Sequence, residues 1–184
     1  MNRIEIESKL NEARTQLLAR YSQLSKDQLR CPLTQSGHDP ENHWTALDHF
    51  AHLALIEKNF QSMIRRHVEG HSNPVGLHVD EQGARRSRED ITRMVHAITE
   101  GFQQEHREDS FNEVVALTAA ARGDTLQLLA ELSDEQLEEK LEGAPWADGT
   151  LGGVLGANAD HAEIHWNWLI DAGLLSIVVE STRD

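Results

Sequence analysis

Cysteine and long apolar runs are scarce in this chain of 184 residues. Cys31 is its single cysteine, so an internal disulfide is impossible, and the charged residues after Met1 do not resemble a signal peptide. Together these features favour a reducing, cytoplasmic setting. No apolar run approaches the roughly 20 residues of a membrane-spanning helix, so we expect no membrane partner. The length fits one domain over residues 1–184.

Basic residues are also few, with 17 Lys and Arg against 31 Asp and Glu, which makes the formal net charge −14. A phosphate backbone would on average be repelled, and no basic patch with interleaved aromatic residues is present. The short cluster Arg85 to Arg88 is followed at once by Glu89 and Asp90. We interpret this cluster as the solvated start of a helix. The charge balance therefore predicts that nucleic acid is not a partner.

Alternating strand patterns are absent except for the short run Ile177 to Val179. Apolar residues instead recur at intervals of three and four, which predicts an all-α fold. The expected helices cover roughly residues 3–24, 42–69, 88–106, 110–132 and 150–172. Ser110 and Glu113 have the spacing of a capping box, and Gly173 ends the last helix.

A short phrase is repeated in the two halves of the chain. Residues 24–29 read LSKDQL, and residues 132–137 read LSDEQL. Each phrase closes a long helix and precedes a proline-containing loop, a tryptophan and a helix that bears histidines. Two helix–loop–helix units of this kind predict a four-helix bundle with approximate two-fold symmetry. A chance repetition of a helix-capping phrase is the alternative.

The last predicted helix places two of the eleven histidines on one face. His161 and His165 lie about 40° apart on the helical wheel. The same side carries several apolar residues: Val154, Ala157, Ile164, Trp168, Leu169 and Ala172. Buried imidazoles without partners cost about 1 to 3 kcal/mol each, and i, i+4 spacing allows two of them to bind one metal ion. Hydrogen bonds from the two rings to carbonyls or water are the alternative.

The second predicted helix supplies a third imidazole. Asp48, His52 and Asn59 form a narrow polar stripe on an otherwise apolar cylinder, and such a helix is buried. His52 is therefore the expected third metal ligand. His49 lies off the stripe and is a reserve ligand, although a partly exposed packing role is favoured. Asp48 and Asn59 either hydrogen-bond to His52 or to a bound water, or are simply polar surface residues.

Three protein ligands leave one coordination position open, as in catalytic rather than structural zinc sites. Zinc and nickel both suit imidazole ligands. Trp146 and Trp168 are candidates for the wall of a pocket near the metal, and core or dimer packing is favoured for Trp166.

The sequence resembles the DinB-like superfamily at two helices and at one short phrase. Asp160 to His165 is similar to the closing H-x-x-x-H helix of that family, and residues 132–137 are similar to the phrase before its final loop. The earlier helix resembles the family pattern at the following residues: Trp44, Thr45, His49, Phe50, Ala51, His52, Leu53 and Glu57.

The resemblance implies an up-down-down-up four-helix bundle, often a homodimer, that binds a divalent metal through His52, His161 and His165. Members of the family include thiol-dependent transferases, isomerases and metal-dependent hydrolases. It thus implies a small-molecule substrate, with a low-molecular-weight thiol as one candidate. The segment Gly70 to Arg107 matches no branch of the family.

Three functions remain open at the level of the sequence. The first is a metal-dependent enzyme, either a thiol S-transferase or a hydrolase. The second is a bundle that binds a metal or ligand without catalysis. The third is a purely structural bundle whose histidines are satisfied without metal.

Overall fold

The computed structural model describes residues 1–37, 39–80 and 82–177. Within them the chain forms seven α-helices, one antiparallel pair of two-residue strands and a 3₁₀ turn. In chain order these are α1 Arg3–Tyr21, α2 Lys26–Arg30, β1 Thr34–Gln35, β2 His43–Trp44, α3 Ala46–Val68, α4 Arg88–His106, α5 Phe111–Glu131, α6 Asp134–Glu138, α7 Leu151–Asp171 and the turn Leu174–Ser176. The all-α prediction is confirmed. Residues 178 and 179 of the predicted strand-like run lie outside the described residues.

The start of α3 differs from the prediction. Thr45 accepts a hydrogen bond from the backbone N–H of Asp48, and the Asp48 carboxylate accepts one from the backbone N–H of Thr45. This capping box begins the helix at Ala46 rather than near residue 42. The preceding His43–Trp44 instead pairs with Thr34–Gln35. The predicted capping box between Ser110 and Glu113 is present at the start of α5.

The repeated phrase has the same structure in both halves of the chain. Ser25 and Gln28 form the capping box of α2, and Ser133 and Gln136 form that of α6. The β1–β2 pair follows α2, and an isolated bridge between Lys140 and Thr150 follows α6. Each half therefore passes from a long helix through a short capped helix and a small β-contact into the next long helix.

The core consists of two apolar clusters shared by the four long helices α1, α3, α5 and α7. In one cluster the N-terminal halves of α1 and α7 meet the C-terminal halves of α3 and α5: Ile6, Leu155, Ile64 and Leu128 are representative. In the other the opposite halves meet: Tyr21, Leu169, Phe50 and Val114 are representative. Every residue from Ala46 to Leu55 is buried, so α3 is a central helix, as its nearly continuous apolar surface predicts.

The connection from α3 to α5 is long and contains α4, which packs on α3. Its two buried residues are polar, Glu100 and Gln103. Glu100 accepts hydrogen bonds from Ser36 and Asn42, and Gln103 Nε2 donates to Asp48 Oδ1 at 3.1 Å. Polar contacts of this kind attach α4 to the start of α3.

Across residues 1–37, 39–80 and 82–177, none of the helices combines the length and apolarity that crossing a membrane requires.

Candidate metal centre

His52 on α3 and the pair His161 and His165 on α7 come together in the folded chain. Each offers a ring nitrogen, and these nitrogens all lie within 4.8 Å of one another. His52 and His165 are buried, whereas His161 is half-buried. The structure thus brings the three predicted ligands to one place; that they bind a metal stays a prediction.

Close packing at the start of α7 positions its two histidines. Thr150 caps this helix by accepting a hydrogen bond from the backbone N–H of Gly153 at 2.9 Å. A Cβ at Gly152 would lie 3.0 Å from Ile6 Cδ1 and 3.1 Å from the carbonyl oxygen of Leu137. Glycine at this position therefore allows α7 to lie directly against α1 and α6, which sets the position of His161 and His165 relative to α3.

One pair of donor atoms has the spacing that a divalent metal requires. The Nε2 atoms of His161 and His165 are 3.1 Å apart, and tetrahedral zinc with bonds near 2.0 Å would separate two nitrogens by roughly 3.3 Å. Within the described part of the chain, the buried Nδ1 atom of His52 has no hydrogen-bond partner. A buried nitrogen without a partner destabilises the fold, and a metal or other ligand bound by the three histidines would offset that cost.

His49 is not part of this donor group, but it contacts it directly. Its Nδ1 atom lies 2.7 Å from Nδ1 of His165, and its Nε2 atom lies 2.6 Å from Oγ1 of Thr34. His49 is fully buried, so the favoured sequence interpretation as a partly exposed packing residue is wrong. Thr34 was not identified from the sequence, because only the β1–β2 pairing brings it beside α3.

Burial keeps the four imidazoles neutral. Desolvation lowers the pKa of His49 to about 4 and that of His52 to about 3, with a smaller effect on His52 from the nearby His161. Desolvation also lowers the pKa of His161 and, strongly, that of His165. Neutral imidazole is the form that binds metals, so no proton has to be displaced from these rings at pH 7.

The donor group opens on a cavity of about 550 Å³. Trp44, Trp146 and Trp168 contribute to its wall, together with His52 and His161. The predicted pocket role of Trp146 and Trp168 agrees with this arrangement. Trp166 instead packs edge-on against Tyr21, with ring centroids 5.3 Å apart, on another side of α7.

The predicted apolar face of α7 is partly wrong. Ile164 and Trp168, expected in the core, are about half exposed, whereas Leu155, Ala162 and Leu169 are buried. The buried face is therefore rotated away from His161. The histidine pair lies where this face meets the cavity, so the site borders an open pocket rather than the middle of a closed core.

A buried ion pair behind the site was missed by the sequence analysis. Arg122 Nη2 on α5 donates to Glu57 Oε1 on α3 at 2.8 Å, and Thr125 Oγ1 donates to Glu57 Oε2 at 2.6 Å. Arg122 also donates to the carbonyl oxygen of Leu10. An arginine surrounded by alanines on an apolar helix is the signal that would have indicated it.

Asp48 and Asn59 do not take the places considered for them beside His52. The carboxylate of Asp48 caps α3 and accepts a hydrogen bond from Gln103. Asn59 lies two turns further along α3 and borders a second cavity. The neighbour that orients a histidine of the site is His49.

The sequence profile of the DinB superfamily matches residues 9–169, which is most of the chain. The protein belongs to the DinB superfamily. The predicted family is thereby confirmed, and the match spans both histidine-bearing helices of this DinB protein. A comparison with curated proteins found no match.

Two solved structures share the fold of this DinB protein. An uncharacterised protein from Escherichia coli UTI89 is 16% identical with a TM-score of 0.60, and 97% of this chain and 96% of that chain are covered. The colibactin self-resistance protein ClbS, crystallised in complex with double-stranded DNA, is 15% identical with a TM-score of 0.61, and the coverage is 97% and 98%.

The exclusion of nucleic acid as a partner was wrong. ClbS has this fold and is crystallised with double-stranded DNA, so the fold does not prevent that interaction. A net charge of −14 is a sum over the whole chain and does not describe the local potential of any one surface.

Proposed function

We propose that this DinB protein binds one divalent metal ion, zinc or nickel, through His52, His161 and His165, and acts with it on a small molecule. The observation that carries the proposal is the convergence of three neutral imidazoles at the wall of a cavity. Within the described ranges this donor group contains no carboxylate and no thiolate. Three ligands leave a coordination position for substrate, whereas structural zinc sites are closed by four.

Thiol S-transfer is the preferred reaction class, and hydrolysis is the second. A zinc or nickel ion held by neutral imidazoles keeps its full positive charge and lowers the pKa of a thiol or a water molecule. The chain's own residues would do the rest. The three histidines hold the ion, His49 orients His165, and the tryptophans limit access of bulk water to the cavity. A low-molecular-weight thiol is the proposed co-substrate.

The alternative is a bundle that binds a metal or ligand without turnover. The same donor group supports it, and Glu100, a carboxylate of the cavity wall, already accepts hydrogen bonds from Ser36 and Asn42. We include double-stranded DNA among the partners to be tested, since a protein of this fold is crystallised with it.

We also propose the up-down-down-up order for the four long helices. What supports it is the sharing of one apolar cluster by the N-terminal halves of α1 and α7 and the C-terminal halves of α3 and α5. Parallel neighbours α3 and α5 require a long connection, and residues 69–110 provide one.

The test is elemental analysis of the purified protein, beside His52→Ala and a His161→Ala/His165→Ala double variant. We expect close to one equivalent of zinc or nickel per chain in the parent and a loss of nearly all of it in both variants. His71→Ala is the matched control, because His71 is an exposed histidine outside the donor group. No metal in the parent, even after zinc or nickel is added, would refute the proposal.

Activity then separates the enzyme from the binding module. The metal-loaded protein is assayed with a low-molecular-weight thiol and an electrophile, and with ester and amide substrates. Turnover that disappears in His52→Ala but not in His71→Ala identifies an enzyme. One equivalent of metal without turnover of any substrate supports the non-catalytic alternative.

A further inference from the structure

Helix α4 buries the opposite side from the one expected for an amphipathic helix. Its buried residues are Glu100 and Gln103, whereas Val95 and Ile98 are 41% and 49% exposed. A surface helix normally turns its apolar stripe to the core, because that removes apolar area from water. Here polar contacts help to attach α4 to the protein, and Phe102 packs against the core, whereas Val95 and Ile98 stay largely exposed.

These apolar side chains line a second cavity, of about 330 Å³, between α3 and α4. Phe60 and Met63 of α3 form the facing wall, and Trp146 closes one end. A cavity on the order of 150 Å³ holds a benzene molecule in another protein, so this one has room for a larger group. Its volume is within the usual range for pockets that bind small molecules.

The second cavity adjoins the candidate metal centre. Ile56, Val95, Trp146 and His161 line both this cavity and the 550 Å³ cavity on which the donor group opens. A ligand that reaches the three histidines can therefore extend past His161 along the apolar face of α4. This continuity connects the apolar lining to the chemistry of the site.

The arginines at the far edge hold the cavity wall. Arg86 Nη1 donates to the carbonyl oxygens of Leu77 and Val79 at 3.2 and 2.9 Å, and Arg66 Nη2 donates to that of Asn73 at 3.2 Å. These bonds fasten the loop 73–79 over the end of the cavity. The lining that remains toward α4 is uncharged and, apart from Asn59 and Thr99, apolar, which favours an uncharged occupant.

We propose that the α3–α4 cavity binds an uncharged alkyl or aryl group of the substrate whose reactive end lies at the three histidines. This inference rests on the proposed function for the identity of the reactive end. It gives the segment Gly70 to Arg107 a role: the segment connects α3 to α5 and supplies the wall that selects the substrate. The substrate class is then a molecule with one apolar arm and one thiol or electrophilic end.

The first experiment measures ligand binding in the apolar cavity, independently of metal binding. The probe is N-phenyl-1-naphthylamine, an uncharged aromatic amine that fluoresces in apolar surroundings, titrated into the full chain with zinc and with EDTA. Ile98→Asn should weaken its binding about tenfold. Ile4→Asn is the control, because Ile4 is 79% exposed on α1 and lines neither cavity. Circular dichroism checks that both variants fold.

The second experiment tests the connection to the metal. Hexane-1-thiol should displace the probe at several-fold lower concentration from zinc-loaded than from EDTA-treated protein, and 2-mercaptoethanol should not displace it. Equal displacement in both forms would overturn the connection. If the probe binds and Ile98→Asn weakens it while no metal is bound, the apolar site stands and the proposed function fails.

Two results would overturn the cavity assignment itself. One is the absence of probe binding to the parent, or equal affinity in the parent and Ile98→Asn. The other is a parent dimer that Ile98→Asn dissociates in sedimentation velocity, since a second copy of the chain would then cover the apolar face of α4.

Discussion

His165 has a neighbour at each of its ring nitrogens. Nε2 faces Nε2 of His161, and Nδ1 faces Nδ1 of His49. If Nε2 of His165 binds the metal, its Nδ1–H donates to His49, and Nε2–H of His49 then donates to Thr34 Oγ1. One chain of hydrogen bonds would thus select the tautomer and the orientation of a metal ligand.

Removal of His49 should therefore weaken metal binding without removing a ligand. We expect His49→Ala to lower the affinity for zinc by about 10- to 100-fold, which is the usual effect of losing such a neighbour. Titration against a chromophoric chelator measures it, with His71→Ala as the control. Thr34→Val should have a smaller effect in the same direction. An unchanged affinity in His49→Ala would show that His165 is oriented by packing alone.

The buried imidazoles also predict how the stability of the metal-free protein depends on pH. The folded-state pKa of His49 is about 4 and that of His52 about 3, whereas an unfolded histidine titrates near 6.5. Below pH 6.5 the unfolded chain binds protons that the folded chain does not, so stability is lost as the pH falls from about 6.5 toward 4. The stabilising contribution is complete above pH 6.5.

Urea denaturation in EDTA measures this dependence. Between pH 6 and pH 5, each of these two histidines should lower the free energy of unfolding by about 1 kcal/mol. His52→Gln should reduce the pH dependence by that amount. A slope that is the same in the parent and in His52→Gln would mean that His52 is already protonated in the folded protein.

Helix α3 connects the candidate site to the other long helices. Its N-terminal turns carry His49 and His52, and one turn further on Glu57 pairs with Arg122 of α5. Because Arg122 also donates to the carbonyl oxygen of Leu10, this pair links α3, α5 and α1. The ion pair is buried on both sides, so its two partners depend on each other.

Substitution of one partner of this pair should cost far more than substitution of both. Arg122→Met leaves a buried carboxylate unpaired and should destabilise the protein by about 4 kcal/mol. The double variant Glu57→Gln/Arg122→Met should recover most of that loss, since a glutamine can still accept a hydrogen bond from Thr125. Urea denaturation of both variants is the measurement. Equal destabilisation by the single and the double variant would show that the two side chains contribute mainly through packing.

Helix boundaries could be predicted where a local signal sets them. The start of α4 and the capping box of α5 follow from Ser87, Ser110 and Glu113, which act within one turn. The start of α3 was placed too early because the same kind of signal at Thr45 and Asp48 was overlooked. The buried face of α7 could not be predicted from its own sequence, because it depends on how α7 packs against the other helices beside the cavity.

Two apolar clusters hold the molecule together independently of the histidines. Metal removal should therefore leave the helices intact and lower only their thermal stability. With zinc at about 100 times its dissociation constant, binding adds about 2.7 kcal/mol, or roughly 5 to 10 °C in Tm for a chain of this size.

Circular dichroism with and without EDTA checks both parts of this prediction. The far-ultraviolet spectrum should be unchanged, and the Tm of His161→Ala/His165→Ala should not respond to zinc. Unfolding of the parent by EDTA at 25 °C would instead show that the metal is required for the fold.

The homodimer and the cytoplasmic location, both expected from the sequence and its family resemblance, stay predictions.

Helical periodicity, the repeated capping phrases and the i, i+4 histidine pair could all be read from the sequence, because they depend on residues within a few turns of each other. The partners of Glu57 and His49 and the uncovered face of α4 could not. Arg122 is 65 residues from Glu57, and Thr34 reaches His49 only through the β1–β2 pairing. Contacts of this kind depend on how the helices pack, because packing brings together residues whose separation along the chain carries no periodic signal.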